Sequence, residues 1–365
     1  MRFRWLYITT VALFGCEQPT REGSSDIPLW TVDAQPQIVL GDDEGSAPLY
    51  RVTGLARIAE GYFVVNAGAN ELRVYNNRGE LVQRTGQEGS GPGEFRSPRL
   101  VGRLPVDSLV VFDKPLNRTS IVCGGRQICD SWESPVWLGS VIGIHGDRIL
   151  YERTLANAAI EGVSHDTHTF AIAQRGADDS EFSVELRGRT RMAKRMGGPP
   201  LISMSVPFTQ SSHAALVPTG IVMVDGPTGE IRFNALAGTD SVMTVLAPLP
   251  VDPAQFRQVV DALIAEATPS RQAMLRSLYD GMSPPETRGM VRNLLVDRLG
   301  MIWLNVEASE PRGTEWLIID VAGKPIGRVR TPPGLTIHEV GEDYVLGVWR
   351  DELDVESVRQ YYLKR

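Results

Sequence analysis

Several features are missing from this chain of 365 residues, and each absence removes a class of function. Basic residues are outnumbered, 37 Lys and Arg against 44 Asp and Glu, for a net charge of −7, and no basic stripe is interleaved with aromatics. A net-negative body repels phosphates, which argues against nucleic acid as a partner. Long apolar runs are missing as well: the N-terminal one, residues 5–14, covers ten positions where a membrane-spanning helix needs about 20. No Gly-x-Ser-x-Gly elbow occurs, so no Ser-His-Asp order can be assigned. Only five histidines are present, His145, His165, His168, His213 and His338. No second composition shift follows residue 27, which leaves one large domain as the economical reading.

What is there begins with an export signal. Arg2 and Arg4 precede the apolar run, and Leu13-Phe14-Gly15-Cys16 follows it. This segment resembles a bacterial lipobox, in which the cysteine is acylated and becomes the new N-terminus. The resemblance implies a signal peptide over residues 1–15, lipid attachment at Cys16 and membrane association through that lipid. Glu17 after the cysteine resembles the pattern sorted to the outer membrane, with the side of that membrane left open. The competing readings are an ordinary signal peptide with a chance cysteine, or a buried apolar N-terminal strand. Residues 16–27 are polar, contain Pro19 and Gly23, and read as a tether. Without Arg2 and Arg4 the mature chain carries a charge of about −9, by the same counting.

Cys123 and Cys129 are separated by Gly-Gly-Arg-Gln-Ile in a chain that should meet an oxidising compartment. The Gly124-Gly125 pair suits a tight turn, so a disulfide across a hairpin is predicted. Two reduced thiols are the alternative. Zinc is disfavoured because two further ligands are not evident nearby.

The strongest internal signal is a repeated strand-turn-strand unit with alternating apolar residues. Its first copy runs through residues 61–66, 71–75, the turn 76–79 and 80–84; a second runs through 107–113 and 117–122. Val64 and Val110 are 46 residues apart, the spacing of a propeller blade of four strands. Weaker copies at 147–151 with 169–173, 220–225 with 229–233, 300–305 with 315–320, and 343–348 with 358–363 bring the count to six. The fold class predicted is an all-β, six-bladed β-propeller occupying residues 28–365.

The segment Gly86-Gln-Glu-Gly-Ser-Gly-Pro-Gly-Glu-Phe95, ahead of Asp113 and Asn117-Arg118, resembles the blade-linking segment of NHL-repeat propellers. Residues 294–303 and 340–348 resemble the late blades of six-bladed propeller lipoproteins of bacteria. In ring-closed propellers the N-terminal strand completes the last blade, so residues 37–40 are expected beside 358–363. Phe95 is expected to plug the gap between two blades. The Gly-rich run is no phosphate loop, since the Lys-Ser/Thr that would hold phosphate and magnesium is absent. Asp113 and Asn117 match polar repeat positions that bond backbone in turns.

Between residues 249 and 289 the period changes from two to about 3.6, with Phe256, Val259, Val260, Leu263, Ile264 and Ala267 on one stripe. Asp252 before Pro253 and Thr268 before Pro269 read as two helix starts, giving a helical pair inserted over residues 252–282. Such a pair either packs on the propeller or forms a lid over its central funnel.

Candidate chemistry is thin. His165 and His168 flank Asp166, a set that could hold zinc or calcium only from a loop or helical turn, because a strand sends positions 165 and 168 to opposite faces. A solvated loop is the preferred reading there. Asp42, Asp43, Glu44, Asp178, Asp179, Glu307 and Glu310 show no regular calcium-ligand spacing, and the run 42–44 reads as a solvated connection. Trp303, Trp316 and Trp349 fall in or near strands and read as inter-blade core, with sugar stacking as the alternative. No catalytic constellation, metal set or cofactor is assigned. Two functions follow: a monomeric, membrane-tethered binding or scaffold module of the cell envelope, taking a protein or small molecule on a propeller face; or a metal-dependent, lactonase-like propeller hydrolase or lyase with its site in the funnel.

Overall fold

A recurring local device reverses the chain in the computed structural model, which describes residues 27–41, 48–156, 161–195, 201–236, 241–306 and 314–365. One Asp or Asn oxygen accepts the backbone N–H groups two and four residues ahead: Asn76 from Arg78 and Glu80, Asp297 from Leu299 and Met301, Asp320 from Ala322 and Lys324, Asp351 from Leu353 and Val355. In the first three the third residue on is a glycine at positive φ, Gly79, Gly300 or Gly323, a conformation glycine adopts without steric cost.

Between reversals lie the strands of six antiparallel blades. Blade 1 comprises Val52–Ile58, Gly61–Asn66, Glu71–Asn76 and Leu81–Thr85. Blade 2 comprises Pro98–Leu104, Ser108–Asp113, Arg118–Cys123 and Gln127–Glu133. Blade 3 has Ser140–His145, Arg148–Leu155, Gly162–Gln174 and Phe182–Arg195, with Leu201–Ser205 added. Blade 4 has His213–Val217, Gly220–Val224, Glu230–Asn234 and Ser241–Val245. Blade 5 has Val291–Val296, Ile302–Val306, Thr314–Ile319 and Pro325–Thr331. Blade 6 has Leu335–Val340, Tyr344–Arg350 and Glu356–Lys364, completed by Ile38–Leu40 from the other end of the chain.

First strands of successive blades touch around the axis, from blade 1 through blade 5, and blade 6 touches blade 1. Between blades 5 and 6 the Arg298 N–H donates to the Val340 carbonyl at 3.0 Å. The all-β, six-bladed propeller is therefore the observed architecture. Because strands alternate in direction, one face carries the links from each outer strand to the next inner strand. This is the link face. The opposite, turn face carries the turns between first and second strands.

Ring closure follows the sequence expectation: Ile38, Val39 and Leu40 pair antiparallel with Gln360, Arg359 and Val358. An additional strand, Leu29–Val32, enters between blades 5 and 6, parallel to Arg328 and Val329 and then antiparallel to Lys364 and Leu363. Its Trp30 stacks 5.8 Å from Trp303, which lies 6.2 Å from Trp316, inside one apolar cluster. Polar groups bind the same seam. Glu356 accepts the Val52 N–H at 2.7 Å and pairs with Arg350 at 2.6 Å; Gln360 takes the Tyr62 hydroxyl at 3.1 Å and donates to Gln37 at 3.0 Å.

Phe95 is fully buried between blades 1 and 2 as expected. Its loop is tied down by Arg118, which donates to the carbonyls of Ser90, Gly91 and Glu94. Asp113 accepts the Arg96 N–H at 2.7 Å and Asn117 donates to the Ser134 carbonyl, both backbone roles. Trp303 and Trp316 are core; Trp349 is half-buried, donates to the Pro333 carbonyl at 3.1 Å and lies under the Arg359 guanidinium.

Candidate functional site

Blade 3 departs from the repeat. Its third and fourth strands run 13 and 14 residues, and their far ends project beyond the link face, where Arg191–Arg195 pairs with Leu201–Ser205. The inserted helices, α1 (Pro253–Ala265) and α2 (Pro269–Tyr279), dock on this projection. Asp252 caps α1 by accepting the Ala254 N–H at 2.8 Å; Thr268 starts α2 with no side-chain cap bond. Phe256, Val260 and Ile264 of α1 and Leu275 and Tyr279 of α2 bury against Val206, Met192 and Met204. Lys194 donates to the Ser277 carbonyl at 2.9 Å and the Tyr279 hydroxyl to that of Ser205 at 3.1 Å. Together they form a cap. A two-strand ribbon, Leu249–Pro250 with Thr287–Arg288, returns the chain to blade 5.

The helical stripe splits in two. Phe256, Val260 and Ile264 are buried, while Val259 and Leu263, 42% exposed, face a cleft of about 610 Å³ between α1, the residues 203–210 and the start of blade 5. Its polar side holds Arg191, Arg288 and Arg292, and no Asp or Glu lines it among the described residues. Behind Arg191 sits buried Asp166, 2.7 Å from Nε. Arg288 donates to Gln255 at 2.6 Å and lies 4.9 Å from the centre of the Phe208 ring, a cation–π contact. The Ser203 hydroxyl, also in the lining, is buried with no protein partner among the described residues.

Below the cap, blades 2 to 4 bring a second group together. His168 Nδ1 lies 2.9 Å from Glu152 Oε1, in the geometry of an ion pair rather than of a linear hydrogen bond. His168, Arg99 and His213 all hold the Glu152 carboxyl below its ordinary range, His168 foremost. Burial holds the His213 imidazole down to about 4, against the pull of Glu152. Arg99 reaches from blade 2 to the Val141 carbonyl at 2.6 Å. Gly188 makes the close approach possible, since a Cβ there would stand 2.4 Å from the His168 ring. A carboxylate beside an imidazole is an arrangement competent for proton transfer.

On the turn face a cavity of about 660 Å³ lies at the seam, against Gln37, Arg57, Tyr62, Asp107, Arg298 and Tyr344. It is slightly larger than the cap cleft, and its one carboxylate, Asp107, is paired within the chain. Arg103 bridges Asp107 at 2.8 Å and Glu339 at 3.0 Å; Glu339 also accepts the Tyr344 hydroxyl at 2.5 Å and the Arg57 N–H at 3.0 Å. Burial and then Glu339 push the Tyr344 phenol up. The cap cleft, cationic and largely apolar, is the better candidate for recognition.

The expected loop around His165 and His168 is corrected: both lie in the strand Gly162–Gln174, with a bulge between His165 and Thr167. His165 is exposed, 3.0 Å from the Thr190 hydroxyl, whereas Asp166 and His168 are buried. The two histidines are not brought to one point. Among the described residues no group of three His, Cys, Asp or Glu is placed to hold a metal ion. Cys123 and Cys129 are joined as a disulfide, Cα atoms 5.9 Å apart, at the outer edge of blade 2. Cys16, Asp42, Asp43, Glu44, Glu307 and Glu310 lie outside the described residues. No described helix is long and apolar enough to cross a membrane.

The cleft arginines were not singled out from sequence, although a signal existed: residues 187–195 hold five cations and no acid in a chain of net charge −7.

No family model and no curated protein matches this chain. Its path is similar to a member of the DUF4221 family from Bacteroides vulgatus, at 8% identity and a TM-score of 0.49, covering 92% of this chain and 98% of that one. Virginiamycin B lyase from Staphylococcus aureus is similar at 8% identity and 0.41, covering 90% and 98%. BamB from Moraxella catarrhalis is similar at 10% identity and 0.37, covering 89% and 100%. Likeness at this level says nothing of what the chain binds.

Proposed function

We propose that this protein is a binding module of the cell envelope, held at a membrane by lipid on Cys16 and by the tether 16–27, and that it recognises its ligand in the cap cleft. One observation carries the reading: α1 buries three apolar residues in its own cap but turns Val259 and Leu263 toward a cleft that nothing in the described chain fills. Exposing apolar side chains costs about 25 cal/mol per Å², so a covered cleft is the lower state and a ligand gains by covering it. Titrating the mature chain with the neutral apolar dye Nile red should give one saturable site, and Val259→Glu with Leu263→Glu should abolish it. Equal binding by that double variant would remove the cleft from consideration. The anchor is tested by mass spectrometry of envelope fractions: a lipidated N-terminal Cys16 is expected, and a soluble product without acyl mass would overturn it.

A second reading, a hydrolase or lyase working in the funnel, draws support from the Glu152–His168 pair with His213 nearby. Screening lactone and ester substrates tests it. Turnover abolished by Glu152→Gln at unchanged melting temperature would favour it; no turnover in wild type would end it.

A further inference from the structure

We infer that the turn-face cavity at the seam is a second binding site, for a small hydroxylated monocarboxylate of the sugar-acid kind, and that this ligand ties blades 1, 5 and 6 together where the ring closes. The site lies on the face opposite the cap and stands independently of the cleft.

The charge around the cavity decides the headgroup. Arg57 comes from the end of the first strand of blade 1 and Arg298 from the turn between the first two strands of blade 5, and both meet at Tyr344 of blade 6. The Arg57 guanidinium lies 4.9 Å from the centre of the Tyr344 ring, and Arg298 Nη1 donates to the Tyr344 hydroxyl at 3.3 Å. The two carboxylates within reach are engaged by a third arginine: Arg103 pairs with both Asp107 and Glu339. They attract Arg298 from beyond ion-pair distance. Three guanidinium groups therefore share two carboxylates, a local excess of one positive charge in a chain of net charge −7. One carboxylate closes that balance, and its two oxygens match an arginine fork. A phosphate monoester, at about −1.5 to −2, overshoots it.

The rest of the lining decides the body. Gln360 donates to the Gln37 side-chain oxygen at 3.0 Å, which leaves the Gln37 amide nitrogen as a donor at the cavity wall, and Asn77 adds a second amide. The Tyr62 hydroxyl donates to Gln360 at 3.1 Å and keeps its lone pairs to accept. Amide donors beside a phenolic acceptor suit hydroxyl groups, which both give and accept a hydrogen bond. A volume near 660 Å³ lies inside the range, about 300 to 1,000 Å³, of clefts that hold one small molecule.

The wall that carries Asp107 is also strained. Val106 and Asp107, in the turn between the first two strands of blade 2, take φ values of 60° and 49°. A β-branched residue rarely adopts that conformation, and Val106 is 90% exposed, so no packing holds it there. The Asp107 carboxylate does, by accepting the Ala59 N–H at 2.8 Å and pairing with Arg103 at 2.8 Å. Strain kept in place by such bonds gathers at ligand sites.

Calorimetric titration and thermal melting of the mature Cys16→Ser chain test the site, with glucuronate, glucose, acetate and glucose 6-phosphate as probes. Glucuronate should bind at least about tenfold tighter than glucose or acetate, and tighter than glucose 6-phosphate, and it should raise the melting temperature, because a ligand held only by the closed ring stabilises it. Arg57→Gln should weaken glucuronate about tenfold, the worth of one charge-assisted contact. Arg298→Gln provides the same comparison should Arg57→Gln fold poorly. Glucose binding as tightly as glucuronate would overturn the anion. Acetate binding as tightly would overturn the hydroxylated body, and glucose 6-phosphate binding more tightly would overturn the single charge. Displacement of Nile red by glucuronate would put the acid in the cap cleft and overturn the turn-face site while leaving the cleft itself standing. Absence of binding by all four would overturn the inference outright.

Discussion

The seam and the cap are built from the same strands and solve opposite problems. At the seam, where Leu29–Val32 and Ile38–Leu40 join the two ends of the ring, Glu356, Glu339 and Asp107 each meet an arginine and three tryptophans pack in one cluster. On the cap and the strands beneath it, polar atoms of Asp166, Ser203, Ser211 and His213 are buried without a protein partner among the described residues, against Trp316 Nε1 in the seam's tryptophan cluster. An unsatisfied buried group costs about 1 to 3 kcal/mol, a cost that natural folds concentrate where something else is to be bound. The contrast teaches that the seam stores stability and the cap spends it.

Removing the seam should do most damage. Deleting residues 29–40 leaves blade 6 with three strands and an open edge, and the cooperative melt should collapse; an unchanged melting temperature would show that the ring does not close there. Trp303→Ala comes next, at about 3 to 5 kcal/mol by chemical denaturation, because it empties the centre of the tryptophan cluster. A loss under about 1 kcal/mol would contradict the packing described.

Acid should strike both regions. His338 in blade 6 and His213 in blade 4 are each held by burial at about 4. A basic group with a depressed folded pKa gives its stability in full above about 6.5, the unfolded value, and loses it as pH falls from there toward 4, by up to about 3 kcal/mol each. His338→Gln and His213→Gln should each flatten melting temperature against pH in that window. An unchanged slope would mean the imidazole is charged in the fold. Ile264→Ala separates the regions at about 2 to 3 kcal/mol: hydrogen exchange should quicken over residues 253–279 and stay slow in blades 1, 5 and 6. Uniform loosening would show that the cap and ring melt as one unit.

Sequence disclosed the seam better than the cap, for a local reason. Strand period and the Asp252-Pro253 and Thr268-Pro269 helix starts are short-range signals, and they placed the blades and both helices, while the closing strand was expected from the likeness to ring-closed propellers. Blade 3 hid its length because its buried positions are polar. Ser164, Asp166 and His168 face inward while Val163 and His165 face solvent, the reverse of the apolar alternation that marks a strand. Strand direction also told against one reading: histidines three apart share a point on a helix but not here. The cleft was illegible for a different reason, since Arg191, Arg288 and Arg292 meet only through tertiary packing.

The comparison rests most directly on Leu263→Glu. It changes a partly exposed side chain that touches the cleft and lies on the cap, so the seam should not feel it. Nile red binding and the melting temperature measured on the same sample decide the matter. Binding lost with a melting temperature within about 2 °C of wild type is predicted, as for a surface substitution. Binding retained, or a melting temperature that falls as far as for Trp303→Ala, would contradict the division between a cap that binds and a seam that holds.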